Sequence, residues 1–139
     1  MEQRIAIPGS QPRHEEDGSW LPADADQRIS PTVVIRRPTL AGGLRADPND
    51  WTAVQAFAKE FGLTVSHEKP EARTLHVEGS LAQIGKAFGV AIRQRVDPQG
   101  KSYLSYQGEL TIPTSLDGVV QAVLGLDQRP IARPRAAHE

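Results

Sequence analysis

The chain has 139 residues, 16 basic and 17 acidic side chains and a net charge of −1, so it lacks the one-signed surface that nucleic acids or membranes attract. It has no cysteine, which excludes disulfides and thiolate chemistry, and no apolar run long enough to cross a bilayer. Apolar residues make up 38%, with 12 Gly and 11 Pro, which suits one domain with a folded part of about 100 residues.

Residues 1–26 are rich in Pro, Gly, Gln, Asp and Glu, with Ile5 and Ile7 as isolated apolar positions. They lack the basic-then-apolar pattern of a signal peptide and are expected to form a flexible N-terminal extension. Trp20-Leu21 is a lone apolar pair that either docks on the domain or stays in the extension. Thr32-Val33-Val34-Ile35 is β-branched throughout, with Pro31 before it and Pro38 after, which predicts a strand. A loop with Gly42-Gly43 follows.

Asp47-Pro48-Asn49-Asp50 then reads as a helix start: Asp47 at the N-cap, Pro48 at N1, and Asp50 in the acid-favouring first turn. Trp51, Val54, Ala58 and Phe61 form the apolar stripe, with Phe57 beside it. Gly62 ends the helix in the left-handed C′ conformation, and a strand follows from Leu63 to Glu68. After the turn Lys69–Ala72, Thr74–Glu78 points Leu75 and Val77 inward and Thr74, His76 and Glu78 outward, predicting an antiparallel hairpin. Ser80 and Gln83 form a capping-box pattern for a second helix with Leu81, Ile84 and Phe88 as its core stripe.

The helix-Phe-Gly-strand passage occurs twice: Lys59-Glu60-Phe61-Gly62-Leu63-Thr64-Val65 is echoed by Lys86-Ala87-Phe88-Gly89-Val90-Ala91-Ile92, 27 residues on. That spacing is too short for two domains and fits two halves of a split β-α-β unit. After Gly89, Val90, Ile92 and Val96 alternate with Ala91, Arg93 and Arg95, predicting a strand with both arginines outward. Asp97–Gly100 is a turn, and Ser102–Tyr106 pairs back. Thr114 is read as the cap of a third helix, with Asp117 at N3, Leu116, Val119, Val120, Val123 and Leu124 as its stripe and Gly125 as its C′. Leu126-Asp127 starts a short extended piece. From Gln128 the chain is Pro- and Arg-rich and is expected to be extended.

The fold expected is α+β: a ferredoxin-like, open-faced antiparallel sandwich (β-α-β-β-α-β) with an appended hairpin and short helix, and the helices on one sheet face. Its limits are residues 1–26 for the extension, 27–128 for the domain and 129–139 for an extended linker. The other face would carry Thr74, His76, Glu78, Arg93 and Arg95, and such a face meets either water or a partner.

Enzyme motifs do not emerge. There is no Gly-x-Ser-x-Gly and no phosphate-cradling loop. His14, His67, His76 and His138 do not stand at ligand spacing, so no metal site and no cofactor are expected. His67 and His76 approach each other across the hairpin; two strand histidines on a wet face outweigh a site there. Tyr103 and Tyr106 suit packing better than a base-stacking platform, because no basic-aromatic motif accompanies them. Arg93 and Arg95 are either a solvated charged face or a contact surface for an acidic or dipolar partner. A free-standing ferredoxin-like regulatory or ligand-binding module stays open as a second reading, and an RNA-binding domain as a third that the net charge disfavours.

Several stretches in order resemble a known family: VVIRRP, ADPNDWTAVQAFAKEFGLTV, EGSLAQIGKAFGVAI, GKSYLSYQGELTIPTSLDGVVQAVLGLDQRP and the ARPR after it. Together they resemble the activation pro-domain of the sedolisin, or serine-carboxyl, peptidases, the kumamolisin-like ones most of all. The closing Leu124-Gly125-Leu126-Asp127-Gln128-Arg129-Pro130 is the most specific part. The likeness covers roughly residues 27–135, except that the segment between Arg37 and Asp47 is shorter than in relatives.

The resemblance implies a non-catalytic chain: an intramolecular chaperone and inhibitor for a downstream peptidase domain, in a secreted, acid-activated precursor. The family's catalytic Ser, Glu and Asp belong to that downstream domain, so no catalytic residue is assigned here. The implied contacts are His76, Glu78, Arg93, Arg95 and Asp127 on the domain, and Arg129, Ile131, Arg133 and Arg135 in the linker. Processing is expected around Arg135, Ala136, Ala137 and His138. Protonation of Glu78 and Asp127, with loss of pairs to Arg93, Arg95 or the peptidase, is the acid response expected at this level. Isolated, the domain is expected to be a monomer.

Overall fold

The computed structural model describes residues 3–12, 18–38 and 45–128. In chain order its strands and helices are β1 (Arg4–Ala6), β2 (Ser19–Leu21), β3 (Arg28–Ile29), β4 (Thr32–Ile35), α1 (Pro48–Glu60), β5 (Thr64–Lys69), β6 (Thr74–Ser80), α2 (Leu81–Phe88), β7 (Arg93–Val96), β8 (Ser102–Ser105), β9 (Thr111–Pro113) and β10 (Val120–Leu124). The order β4-α1-β5-β6-α2-β7 is the expected β-α-β-β-α-β.

Local chemistry places both helices as the sequence predicts. The Asp47 side chain accepts the Asn49 N–H, with Pro48 in the first turn. Ser80 and Gln83 form the reciprocal capping box, at 2.9 and 3.1 Å. Gly62 and Gly89 both take positive φ, at 74° and 72°, as the ends of the two helices require. Trp51 and Phe61 lie at the margin of the core rather than in it. Trp51 instead donates its indole N–H to Glu68 at 3.1 Å.

The main sheet runs antiparallel, with β10 beside β4, β4 beside β6, and β5 on the far edge of β6. β3 continues the line of β4 along β6. One face carries Val33, Ile35, Leu75 and Val77, each 1% exposed or less, packed in one cluster with Val54 and Phe57 of α1 and Ile84 and Phe88 of α2. Phe57 meets Phe88 edge-on, ring centroids 5.6 Å apart. The helices therefore lie on one side of the sheet, and the opposite face is open.

Three expectations are corrected. First, Leu116–Leu124 is not a helix. Thr114–Leu116 is a single 3-10 turn without a side-chain cap, and Val120–Leu124 is a strand. Val119, Val120 and Val123 fit both periodicities, but their β-branches and a vacant edge beside β4 favour the strand. Second, the strand after α2 does not fill that edge. β7 joins β2 and β8 in a separate three-stranded sheet, and β10 pairs with β4 instead. Third, the described parts of residues 1–26 do not behave as a flexible extension. β1 pairs with β9, β2 pairs with β7, and Ile7 is 2% exposed in the core. Isolated apolar residues in a polar context suffice when each finds an edge or a core gap. The loop at 39–44, with Gly42-Gly43, and the linker 129–139 lie outside the described residues.

Candidate docking face

Register fixes which side chains share the open face. Leu124, Thr32, His76 and Ser66 form one row across β10, β4, β6 and β5. Ala122, Val34, Thr74 and Lys69 form the next. Glu78 and Thr64 continue it toward β3. None of these side chains belongs to the core cluster. The centre of the face is half-buried and mostly uncharged, while Leu124 at its edge is 55% exposed.

His76 and Glu78 lie on this face, as the alternation of β6 predicts. Glu78 pairs with Arg28 of β3 at 3.2 Å, with side chains 44% and 54% exposed. An exposed pair of this kind contributes about 0–1 kcal/mol. Arg93 and Arg95 lie elsewhere, because β7 belongs to the other sheet. Arg93 is exposed there. Arg95 is 6% exposed, its guanidinium 5.1 Å from the Trp20 ring centroid. Trp20, Arg95 and Tyr103 form one cross-strand row. Trp20 thus docks on the domain, and Tyr103 and Tyr106 are packed, at 9% and 4% exposure. The carboxylate response expected from Glu78 with Arg93 or Arg95 has no support in this geometry, since Glu78 is held by Arg28.

Asp127 accepts a hydrogen bond from the Ser105 hydroxyl at 2.9 Å. The neighbouring Leu126 is 1% exposed, and the Gln128 N–H bonds the Leu104 carbonyl at 2.8 Å. These contacts hold Leu126–Gln128 against β8. Asp127 also raises the pKa of Tyr106, second to burial, to about 12. Arg129, Ile131, Arg133, Arg135, Ala136, Ala137 and His138 lie outside the described residues.

His67 and His76 do meet, with ring centroids 5.0 Å apart and planes tilted by 51°. Among the described residues no three His, Asp or Glu side chains group in a way that could hold a metal ion, and no helix is long and apolar enough to cross a membrane. The helical reading of Leu116–Leu124 hides the contribution of β10, through Ala122 and Leu124, to the open face. The density of valine between 119 and 123 is the signal that points to it.

Two comparisons bear on this arrangement. Residues 40–129 match the family model described as pro-kumamolisin, activation domain. The chain is also 33% identical to kumamolisin of Bacillus sp. (strain MN-32) over 139 aligned positions, covering 81% of this chain and 25% of that protein. It therefore spans about a quarter of the length of that relative. The chain belongs to the pro-kumamolisin activation domain family.

Proposed function

We propose that this pro-domain docks on the peptidase domain of its own precursor through the open face of the main sheet, assists its folding, and inhibits it until the linker is cut. The observation that carries this reading is the row Leu124, Thr32, His76 and Ser66: a largely uncharged strip, half-buried except at Leu124, with the helices all on the other side. A stable interface of standard size needs about 800 Å² per partner, which a four-stranded face and an extended segment can supply together. The linker, with Arg129, Ile131, Arg133 and Arg135, binds as an extended peptide through backbone hydrogen bonds, and cleavage near Arg135–His138 releases the enzyme. The precursor acts outside the cell and is activated by acid.

Substitution on the face tests the docking mode. Thr32→Glu and Leu124→Glu place charge in the strip and are expected to weaken inhibition by about tenfold or more each. Leu21→Glu, at a position 50% exposed on the other sheet, is the control and should leave inhibition unchanged. Equal inhibition by all three folded variants contradicts docking through this face.

A further inference from the structure

β10 ends the main sheet: it pairs with β4 on one side, and among the described residues no strand lies on the other. The ladder shows which amides this leaves. The Ile35 N–H bonds the Arg73 carbonyl and the Val77 N–H bonds the Pro31 carbonyl, so the odd-numbered residues of β4 turn to β6. Thr32 and Val34 turn to β10, where they stand opposite Leu124 and Ala122. In an antiparallel ladder the bonding direction alternates along each strand. The N–H and C=O of Val123 therefore point outward, away from β4.

The two edges of the sheet differ. At β5, Ser66 pairs with His76 and Lys69 with Thr74, so His67 and Glu68 together stand opposite Leu75 alone. This β-bulge, with His67 at φ 47° and charges on Glu68 and Lys69, blunts that edge against added strands. β10 reads Val-Gln-Ala-Val-Leu, with neither charge nor proline. Its register shift falls at its start, between Val120 and Ala122.

A trough of about 360 Å³ lies beside the β10 edge. Residues 121–124 line one side and 7–12 the other, and Tyr106 and Asp127 also contribute. No residue of β4 lines it, so it lies on the outer side of β10. The 7–12 wall is held in place. The Ile7 N–H bonds the Leu110 carbonyl at 2.8 Å, the Ser10 hydroxyl accepts the Leu110 N–H at 2.8 Å, and Tyr106 donates to the Ser10 carbonyl. Pro8 and Pro12 have no N–H to offer β10. The trough is thus walled before any partner arrives, which lowers the ordering cost of filling it.

We propose that the outer edge of β10 is a strand-addition site, filled in the precursor by an extended segment of the peptidase domain that pairs with Val123 and lies against residues 7–12. This rests on the docking reading above. Continuity assigns the occupant: Ala122 and Leu124, on either side of Val123, already face the docking surface, so a partner seated there meets the edge without a gap. Backbone hydrogen bonds hold such a segment whatever its side chains, while Asp127 disfavours an acidic residue at its end of the trough.

The test is amide hydrogen exchange of the 139-residue chain at about pH 7, alone and bound to the peptidase domain of its precursor, whose nucleophilic serine is replaced by alanine to prevent digestion. In the free chain the Ala122 and Leu124 amides, bonded to β4, should exchange slowly and Val123 fast. In the complex Val123 should slow by about tenfold or more. The Val65 amide, which faces outward at the β5 edge by the same alternation, should not change. A complex that forms with Val123 still fast, or with Val65 slowed equally, overturns strand addition and leaves docking intact. Val123 already slow in the free chain overturns it too, because the edge is then filled by the chain itself or a second copy. If no complex forms, the docking reading fails and this inference with it. Val123→Pro removes the outward N–H and no bond to β4, and should raise the dissociation constant by about fivefold or more. Unchanged affinity of that variant, with Ala122 exchange still slow, overturns the proposal; if the variant unfolds, exchange in the unsubstituted chain decides.

Discussion

The guanidinium of Arg36 holds the carboxylate of Asp50 at two points, Nε to Oδ2 at 2.9 Å and Nη2 to Oδ1 at 3.2 Å. The pair ties the end of β4 to the first turn of α1, and Asp50 is 8% exposed. The Asp50 hydrogen bond outweighs burial and raises the Arg36 pKa. Because that pKa is raised, the guanidinium's contribution is fully present below the ordinary arginine value and is lost as pH rises through the raised one. Arg36→Met leaves a buried carboxylate without its partner and should cost about 1–3 kcal/mol in urea unfolding. Adding Asp50→Asn should recover part of that loss, whereas simple additivity would mean that the two groups do not interact.

The N-terminal segment contributes to the core. Ile7→Ala should destabilise the fold by about 2–4 kcal/mol, in line with large-to-small core substitutions. Leu21→Ala, at an exposed site, should stay within about 0.5 kcal/mol. Comparable midpoints for the two variants in denaturant titration would contradict the burial of Ile7.

How much of this was legible in the sequence depended on whether the signal was local. Asp47-Pro48, Ser80 with Gln83, and Phe-Gly at 61–62 and 88–89 carry their own chemistry, and the helices begin and end where those residues predict. Leu75 and Val77 alternate cleanly, so the face of β6 that carries His76 and Glu78 was readable. The placement of β7 was not, because its other neighbour besides β8 is β2, with Trp20 opposite Arg95, more than 70 residues earlier. Partner choice between distant strands is decided by which edge is vacant, and one chain read in isolation does not display its vacant edges. Leu116–Leu124 failed for a related reason: its valines satisfy a helical stripe and a strand equally well until β4 offers an edge. The meeting of His67 with His76 was readable as an approach across the hairpin, but the bulge that sets its geometry was not.

Two glycines with similar backbone angles should respond differently to alanine. Gly89 has φ +72°, and an added Cβ would run into the Thr111 hydroxyl. Gly100 has φ +86° with open space around it. Gly100→Ala should cost about 1–2 kcal/mol, the backbone penalty alone. Gly89→Ala adds a clash at the α2 end and should cost roughly 1–3 kcal/mol more. Thermal unfolding of the two variants measures the difference, and equal losses would place the α2 terminus away from β9.

Tyr106 provides a pH probe of the packing around Asp127. Its hydroxyl donates to the Ser10 carbonyl, and burial, aided by Asp127, pushes its pKa up to about 12. A phenol with a raised pKa contributes stability that is complete below about pH 10, its ordinary value, and is lost as pH rises toward about 12. In a Tyr103→Phe background, phenolate absorbance should therefore appear late and together with alkaline unfolding. A midpoint at the ordinary tyrosine value, with the fold intact, would contradict this environment.

The central claim is that this chain inhibits a kumamolisin-like peptidase by docking on it. The most direct measurement is hydrolysis of a peptide substrate by the peptidase domain of the same precursor, with the 139-residue chain added in increasing amounts at about pH 7. The account predicts saturable inhibition with a one-to-one end point. Undiminished hydrolysis in the presence of an excess of the folded chain would contradict it.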